Sequence, residues 1–127
     1  MRFHHIGVAC SDLTKVLAWI RRSHEISDET EPVFDPLQNA TLVMLRTVDG
    51  LAIELISGEM VKTVVKRGMA FYHVCYSVDD LDVAVTELSA SGAMLISAPK
   101  ETVLFGGKRV AFLQSPMGII ELLEQRA

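Results

Sequence analysis

Single histidine and glutamate residues interrupt the most apolar stretches of this sequence. His5 lies in FHHIGVAC and His73 in FYHVCYSV, while Glu54 lies in LAIEL and Glu121 in GIIEL. Burying an unpaired carboxylate is costly, so each glutamate requires a partner. Two imidazoles and two carboxylates form a donor set suited to a divalent metal ion. Imidazole favours zinc, nickel, iron or cobalt, and carboxylate adds affinity for harder ions such as manganese or magnesium.

An internal repeat relates these residues. At an offset of 68 residues, four residues of the first copy match residues of the second: Phe3 with Phe71, His5 with His73, Asp12 with Asp80, and Leu13 with Leu81. Glu54 and Glu121 are related by an offset of 67. A lone histidine or glutamate on a strand is more often a structural or solvent-facing residue than a ligand. Their recurrence at equivalent positions favours a metal site made of both pairs.

The repeat predicts two modules with the same order of elements. FHHIGVAC and FYHVCYSV are rich in aromatic and β-branched residues, which is typical of strands. Asp12 or Asp80 then caps a helix whose apolar residues recur at i, i+3, i+4 and i+7. Further strands are predicted over ATLVMLR, LAIELIS, AMLIS, RVAFLQ and GIIELLE, and the remaining strand of the first module at about 26–34. The fold class is therefore α+β, with two tandem βαβββ modules.

The repeat also sets the expected domain organisation. Residues 1–127 form a single domain, in which repeat 1 covers 1–57, a linker helix covers 58–69 and repeat 2 covers 70–127. Because side chains alternate along a strand, His5 and His73 are expected to face the same way in their modules.

Several other residues have weaker signals. Lys108 and Arg109 follow the Gly106–Gly107 turn and are candidates to bind a phosphate or carboxylate of the substrate, with a solvated hairpin as the alternative. We expect Glu124 to be a solvated surface residue. We expect Trp19 to pack beside the apolar stripe of the first helix.

Composition limits the classes of function. The 127 residues are 50% apolar with a net charge of −4 and a mean hydropathy of +0.31. These values exclude a disordered chain, and the acidity argues against a sequence-independent nucleic-acid binder. No apolar run is long enough to cross a membrane, and the N-terminus lacks the pattern of a signal peptide. With only two cysteines, a cytoplasmic protein with free thiols is expected.

The segments HHIGVACSDL, LAIELI, FYHVCYSVDDLDVAVTEL and RVAFLQSPMGIIELLE together resemble the glyoxalase-like, vicinal oxygen chelate superfamily. Within it, GGKRVAFLQSPMGIIELLE is most similar to methylmalonyl-CoA epimerases. The resemblance implies paired βαβββ modules whose mixed sheet curls around a cleft containing a divalent metal. It assigns the metal ligands to His5, Glu54, His73 and Glu121, with cobalt, nickel, zinc, manganese or iron as the ion.

The same resemblance implies an activity. These families remove a proton from the carbon next to a carbonyl, so we expect an epimerase or isomerase acting on an acyl thioester. Glu54 and Glu121 are its expected catalytic proton carriers. Two alternatives remain open, a glyoxalase I-type lactoylglutathione lyase and a non-catalytic protein that sequesters an antibiotic. The expected partners are a small thioester or thiol adduct and a second copy of the chain, without nucleic acid or membrane.

Overall fold

The computed structural model describes residues 1–125 and divides into two compact units. The N-terminal unit comprises His5–Tyr72, and the C-terminal unit comprises Met1–His4 and the chain from His73 onward. Both units combine α-helical structure with parallel and antiparallel strands, which confirms the α+β class. No helix within residues 1–125 is both long enough and apolar enough to span a membrane.

The N-terminal unit follows the order predicted for the first module. Its elements are β1 (Arg2–Ala9, of which His5 onward belongs to this unit), α1 (Leu13–Ser23), β2 (Ile26–Glu29), β3 (Val33–Asp35), β4 (Ala40–Thr47), β5 (Ala52–Ser57), a 3-10 turn (Glu59–Val61) and α2 (Lys62–Lys66). The strand order is β2–β4–β5–β1, and β3 also pairs with β4. β1 and β5 run parallel, whereas the other pairs are antiparallel.

The C-terminal unit repeats this plan. Its elements are β6 (Phe71–Val78, of which His73 onward belongs to this unit), α3 (Leu81–Ala90), β7 (Met94–Glu101), β8 (Arg109–Ser115) and β9 (Gly118–Glu124). The strand order is β6–β9–β8–β7, in which β6 and β9 run parallel. Each unit therefore places its first strand next to its last strand, and this parallel pair positions the histidine and glutamate discussed below.

The helices begin where the sequence predicts. Asp12 accepts a hydrogen bond from the backbone N–H of Lys15, and Asp80 accepts one from Val83, each at 3.1 Å. Such caps supply an acceptor to backbone donors that have no partner inside the helix. In the N-terminal unit, Leu17 of α1 packs into a core cluster built on the sheet.

Two local expectations need correction. The strand expected at 26–34 is split into β2 (Ile26–Glu29) and β3 (Val33–Asp35). Thr30, which follows β2, still bonds to Met44 of β4 through two hydrogen bonds of 2.9 Å. Pro32 then follows without an N–H to donate to a ladder. Trp19 does not pack beside the apolar stripe of α1 as expected: it is 56% exposed, and its ring contacts His24 edge-on.

Candidate functional site

His5 and Glu54 form a buried pair in the N-terminal unit. In the parallel β1–β5 ladder Glu54 lies opposite Gly7, which shares a face of β1 with His5. The Nε2 atom of His5 lies 3.5 Å from Oε1 of Glu54. Their side chains are 0% and 4% exposed, so both polar groups are withdrawn from water.

His73 and Glu121 form the equivalent pair in the C-terminal unit. Glu121 lies opposite Cys75 in the parallel β6–β9 ladder, and Cys75 shares a face of β6 with His73. The Nε2 atom of His73 lies 3.1 Å from Oε1 of Glu121, and the two side chains are 0% and 1% exposed. The backbone arrangement of the first pair is thus repeated in the second.

The antiparallel neighbours of the two glutamates differ in chemistry. Met44 of β4 lies opposite Glu54, and Phe112 of β8 lies opposite Glu121. The ring of Phe112 meets the imidazole of His73 edge-on, with centroids 5.3 Å apart. The sequence analysis did not identify these two neighbours, although the offset of 68 residues also relates them and could have found them.

The donor chemistry of the pairs fits a divalent ion. Each of the four residues offers one ligand atom, either an imidazole nitrogen or a carboxylate oxygen. A buried carboxylate beside an imidazole is costly unless the charge is compensated, and a divalent cation supplies that compensation. Imidazole with carboxylate suits zinc, nickel, cobalt, iron or manganese. The assignment of the four residues as metal ligands stays a prediction.

The basic candidates after the Gly106–Gly107 turn are already engaged by other side chains. Arg109 donates to Glu124 through Nε at 3.1 Å and through Nη2 at 3.0 Å, and Nη2 also lies 3.1 Å from Asp82. Hydrogen bonds to Glu124 and Asp82 raise the pKa of Arg109 above its usual range. Lys108 Nζ contacts the amide oxygen of Gln125 at 3.5 Å. Substrate binding by Lys108 and Arg109 stays a prediction.

The expectation for Glu124 was wrong. Its side chain is 13% exposed, and Oε2 accepts a hydrogen bond from the backbone N–H of Leu81 at 2.9 Å. Glu124 therefore joins the end of β9 to the first turn of α3 and to Arg109 of β8. Its partners are distant in sequence, so no local pattern indicates this role.

A family comparison matches most of the chain. The sequence profile of the "Glyoxalase/Bleomycin resistance protein/Dioxygenase superfamily" matches residues 4–112. That range includes three of the four candidate ligands, His5, Glu54 and His73, and stops before Glu121.

Three individual relatives are 20–25% identical to this chain. The chain is 25% identical over 118 residues to an ethylmalonyl-CoA/methylmalonyl-CoA epimerase of Cereibacter sphaeroides, covering 88% of this chain and 87% of the relative. A methylmalonyl-CoA epimerase structure from Mycobacterium tuberculosis aligns with a TM-score of 0.81 at 20% identity, covering 99% and 89% of the two chains. A Streptomyces coelicolor methylmalonyl-CoA epimerase in complex with 2-nitronate-propionyl-CoA aligns with a TM-score of 0.72 at 24% identity, covering 100% and 96%. The structural alignments show a shared fold.

Proposed function

The chain belongs to the glyoxalase/bleomycin resistance protein/dioxygenase superfamily, and from this membership we infer that it is a metal-dependent epimerase or isomerase. We propose that it removes a proton next to the carbonyl of an acyl thioester, in the manner of a methylmalonyl-CoA epimerase. The main support is the presence of two equivalent buried His–Glu pairs, one in each unit. The similarity to epimerases of CoA thioesters supports the substrate class.

The proposed cofactor is one divalent ion, taken from cobalt, nickel, zinc, manganese and iron, with His5, Glu54, His73 and Glu121 as its ligands. This assignment rests on the repeat, on the donor types and on the burial of all four side chains. When bound, such an ion supplies positive charge that stabilises negative charge developing on a carbonyl oxygen.

The glutamates are the proposed proton carriers. Inverting a carbon centre requires removing a proton from one face and returning a proton to the other, which two carboxylates from separate modules can supply. Burial excludes water from both carboxylates and strengthens their electrostatic interactions. His5 and His73 contact these carboxylates and would hold their orientation.

The test is proton exchange in heavy water. The purified protein is incubated with methylmalonyl-CoA, and deuterium at the carbon next to the thioester is measured by mass spectrometry. We expect incorporation and epimerisation, loss of both after chelation, and recovery when a divalent ion is restored. Glu54→Gln and Glu121→Gln should each lower the rate by about 100-fold or more. Glu87→Gln, an exposed change on α3, should leave the rate unchanged.

The alternatives give different results in the same assay series. Turnover of the methylglyoxal–glutathione hemithioacetal without exchange into methylmalonyl-CoA would replace the epimerase proposal with a glyoxalase I-type lyase. Absence of turnover with both substrates, together with unchanged stability after chelation, would favour a non-catalytic binding protein. Full exchange activity in both glutamate variants would refute their role as proton carriers.

We further propose a homodimer in the cytoplasm. Met94, Ile96 and Met117 of the C-terminal unit are each more than half exposed, and a second copy would remove such surface from water. Cys10 and Cys75 are buried free thiols, which suits a reducing compartment. A monomeric mass by light scattering at micromolar concentration would refute the dimer.

A further inference from the structure

A row of side chains crosses one end of the N-terminal sheet. Phe34 of β3 lies opposite Thr41 of β4, and Thr41 lies opposite Ser57 of β5. Cys10 continues this end of the sheet just after β1, since its backbone N–H donates to the carbonyl of Ile56 at 2.7 Å. These residues line one side of a pocket of about 750 Å³.

This pocket lies on the other face of the sheet from the His5–Glu54 pair. Ser57 follows Glu54 by three positions along β5, so the two side chains point to opposite faces. Cys10 belongs to the core cluster under α1, which also contains Leu55. The pocket is therefore separate from the candidate metal ligand pair of this unit.

The opposite wall of the pocket carries two lysines. Lys62 and Lys66 are four residues apart at the two ends of α2, which places them on one side of the helix. Lys66 makes no ion pair with any residue in the range 1–125. Lys62 lies 3.9 Å from Glu59, in a pair with both side chains more than 60% exposed. An exposed pair at this distance is weak, so both ammonium groups can interact with a ligand.

The remaining lining suits an anion attached to a ring. Glu59 is the one carboxylate among the described lining residues. Burial raises the pKa of the Cys10 thiol, which keeps this side chain neutral. Phe34 is 57% exposed and offers an aromatic surface, while Thr41 and Ser57 offer hydroxyl donors. Pockets of several hundred Å³ that combine apolar surface with a few polar groups are typical ligand sites.

We propose that this pocket is a second ligand site, which binds a small organic anion that joins a phosphate or carboxylate group to an aromatic ring. Lys62 and Lys66 bind the anionic group, and Phe34 packs against the ring. The site does not depend on the proposed epimerase activity or on a bound metal ion.

The experiment is an NMR titration of the ¹⁵N-labelled protein with phenyl phosphate and, separately, with benzoate. Inorganic phosphate probes the binding of the anionic group alone, and phenol probes the binding of the ring alone. Each titration is repeated with EDTA so that anion binding to a metal ion is excluded. We expect saturable shifts of the amides of Asn39, Thr41, Ser57 and Gly58, with and without EDTA. The preferred ring-bearing anion should bind at least about tenfold more tightly than inorganic phosphate or phenol. The difference in affinity between phenyl phosphate and benzoate shows whether the site favours phosphate or carboxylate.

The variants separate a specific site from general charge attraction. Lys62→Gln with Lys66→Gln should weaken binding at least about tenfold, and Phe34→Ala should abolish the advantage of the ring-bearing anion over inorganic phosphate. Lys15→Gln with Arg22→Gln, at exposed positions of α1, makes the same charge change and should leave binding unchanged. The proposal is overturned if no saturable shift occurs, if shifts vanish with EDTA, or if both double variants lose binding equally.

Discussion

Glu121 lies directly opposite Cys75 in the β6–β9 ladder, at the position where Glu54 of the N-terminal unit lies opposite Gly7. The same backbone arrangement thus holds a glutamate beside a thiol in one unit and beside a residue without a side chain in the other. The repeat therefore retains the histidine and the glutamate of each pair, while the residue opposite the glutamate differs.

The first prediction concerns metal content. His5→Gln and His73→Gln should each reduce the affinity for a divalent ion by at least about tenfold, because each removes an imidazole donor from the proposed ligand set. His24→Gln is the matched control, since His24 lies outside both pairs and its Nδ1 contacts Ser23. Elemental analysis after dialysis against a limiting concentration of the metal measures the effect.

Folding has to be checked separately for these variants, because both pairs are buried. Circular dichroism identifies any variant that loses its secondary structure. Wild-type metal content in folded His5→Gln and His73→Gln proteins would contradict the ligand assignment, whatever the activity of the protein.

The second prediction concerns the link between β9 and α3. Glu124→Gln should lower the free energy of unfolding by about 1–2 kcal/mol, because the amide loses the charged acceptor for Arg109 and cannot serve Leu81 equally well. Urea unfolding measures the loss. Glu87→Gln makes the same chemical change at an exposed position of α3 and should have little effect. An equal effect of both substitutions would show that the contacts of Glu124 add nothing.

The sequence predicted the strands and helices that have a strong local pattern. The alternation in β1 and β6 predicted that His5 and His73 face the same way in their modules, and the structure shows both to be buried. The capping residues Asp12 and Asp80 marked the helix starts. The repeat then identified both His–Glu pairs, because it compares positions and needs no knowledge of packing.

Features that depend on distant partners could not be predicted. The sequence suggested a surface position for Glu124, because its hydrogen-bond partner Leu81 is 43 positions away and no local pattern connects them. The pocket beside α2 requires the registers of β3, β4 and β5 together, and no short motif encodes that alignment. The sequence likewise gives no sign that Arg109 is bound by two carboxylates, because Asp82 and Glu124 are 27 and 15 positions away.

The third prediction concerns pH. Arg21 donates to Glu29 through Nε at 3.1 Å, and this hydrogen bond lowers the pKa of Glu29 from its usual value of 4.5. A lowered folded-state pKa stabilises the fold above the unfolded pKa, and that contribution disappears as the pH falls through the folded value. Wild type should therefore be more stable than Glu29→Gln at neutral pH, and the difference should shrink progressively below pH 4.5.

Urea midpoints measured in a pH series from neutral downward test this prediction. The expected difference is small because Arg21 is exposed and Glu29 is partly exposed, so solvent and salt screen the pair. Glu31→Gln, an exposed change in the same segment, is the control and should show a smaller dependence on pH. A difference between wild type and Glu29→Gln that stays constant across the series would exclude a contribution from this ion pair.

The fourth prediction concerns the junction behind the pocket. Gly58 has a φ of +116°, and a Cβ atom there would lie 3.1 Å from the carbonyl oxygen of Asn39 and 3.3 Å from Cα of Ala40. Gly58→Ala should therefore combine backbone strain with close contacts to a neighbouring strand and cost about 2–4 kcal/mol of unfolding free energy. Gly50→Ala separates the two causes, because Gly50 has a φ of +96° with no heavy atom within 4 Å of the added Cβ. We expect urea unfolding to show a loss of about 1 kcal/mol for Gly50→Ala, from backbone strain alone. Equal losses in both variants would mean that the approach of Asn39 and Ala40 to Gly58 adds no constraint.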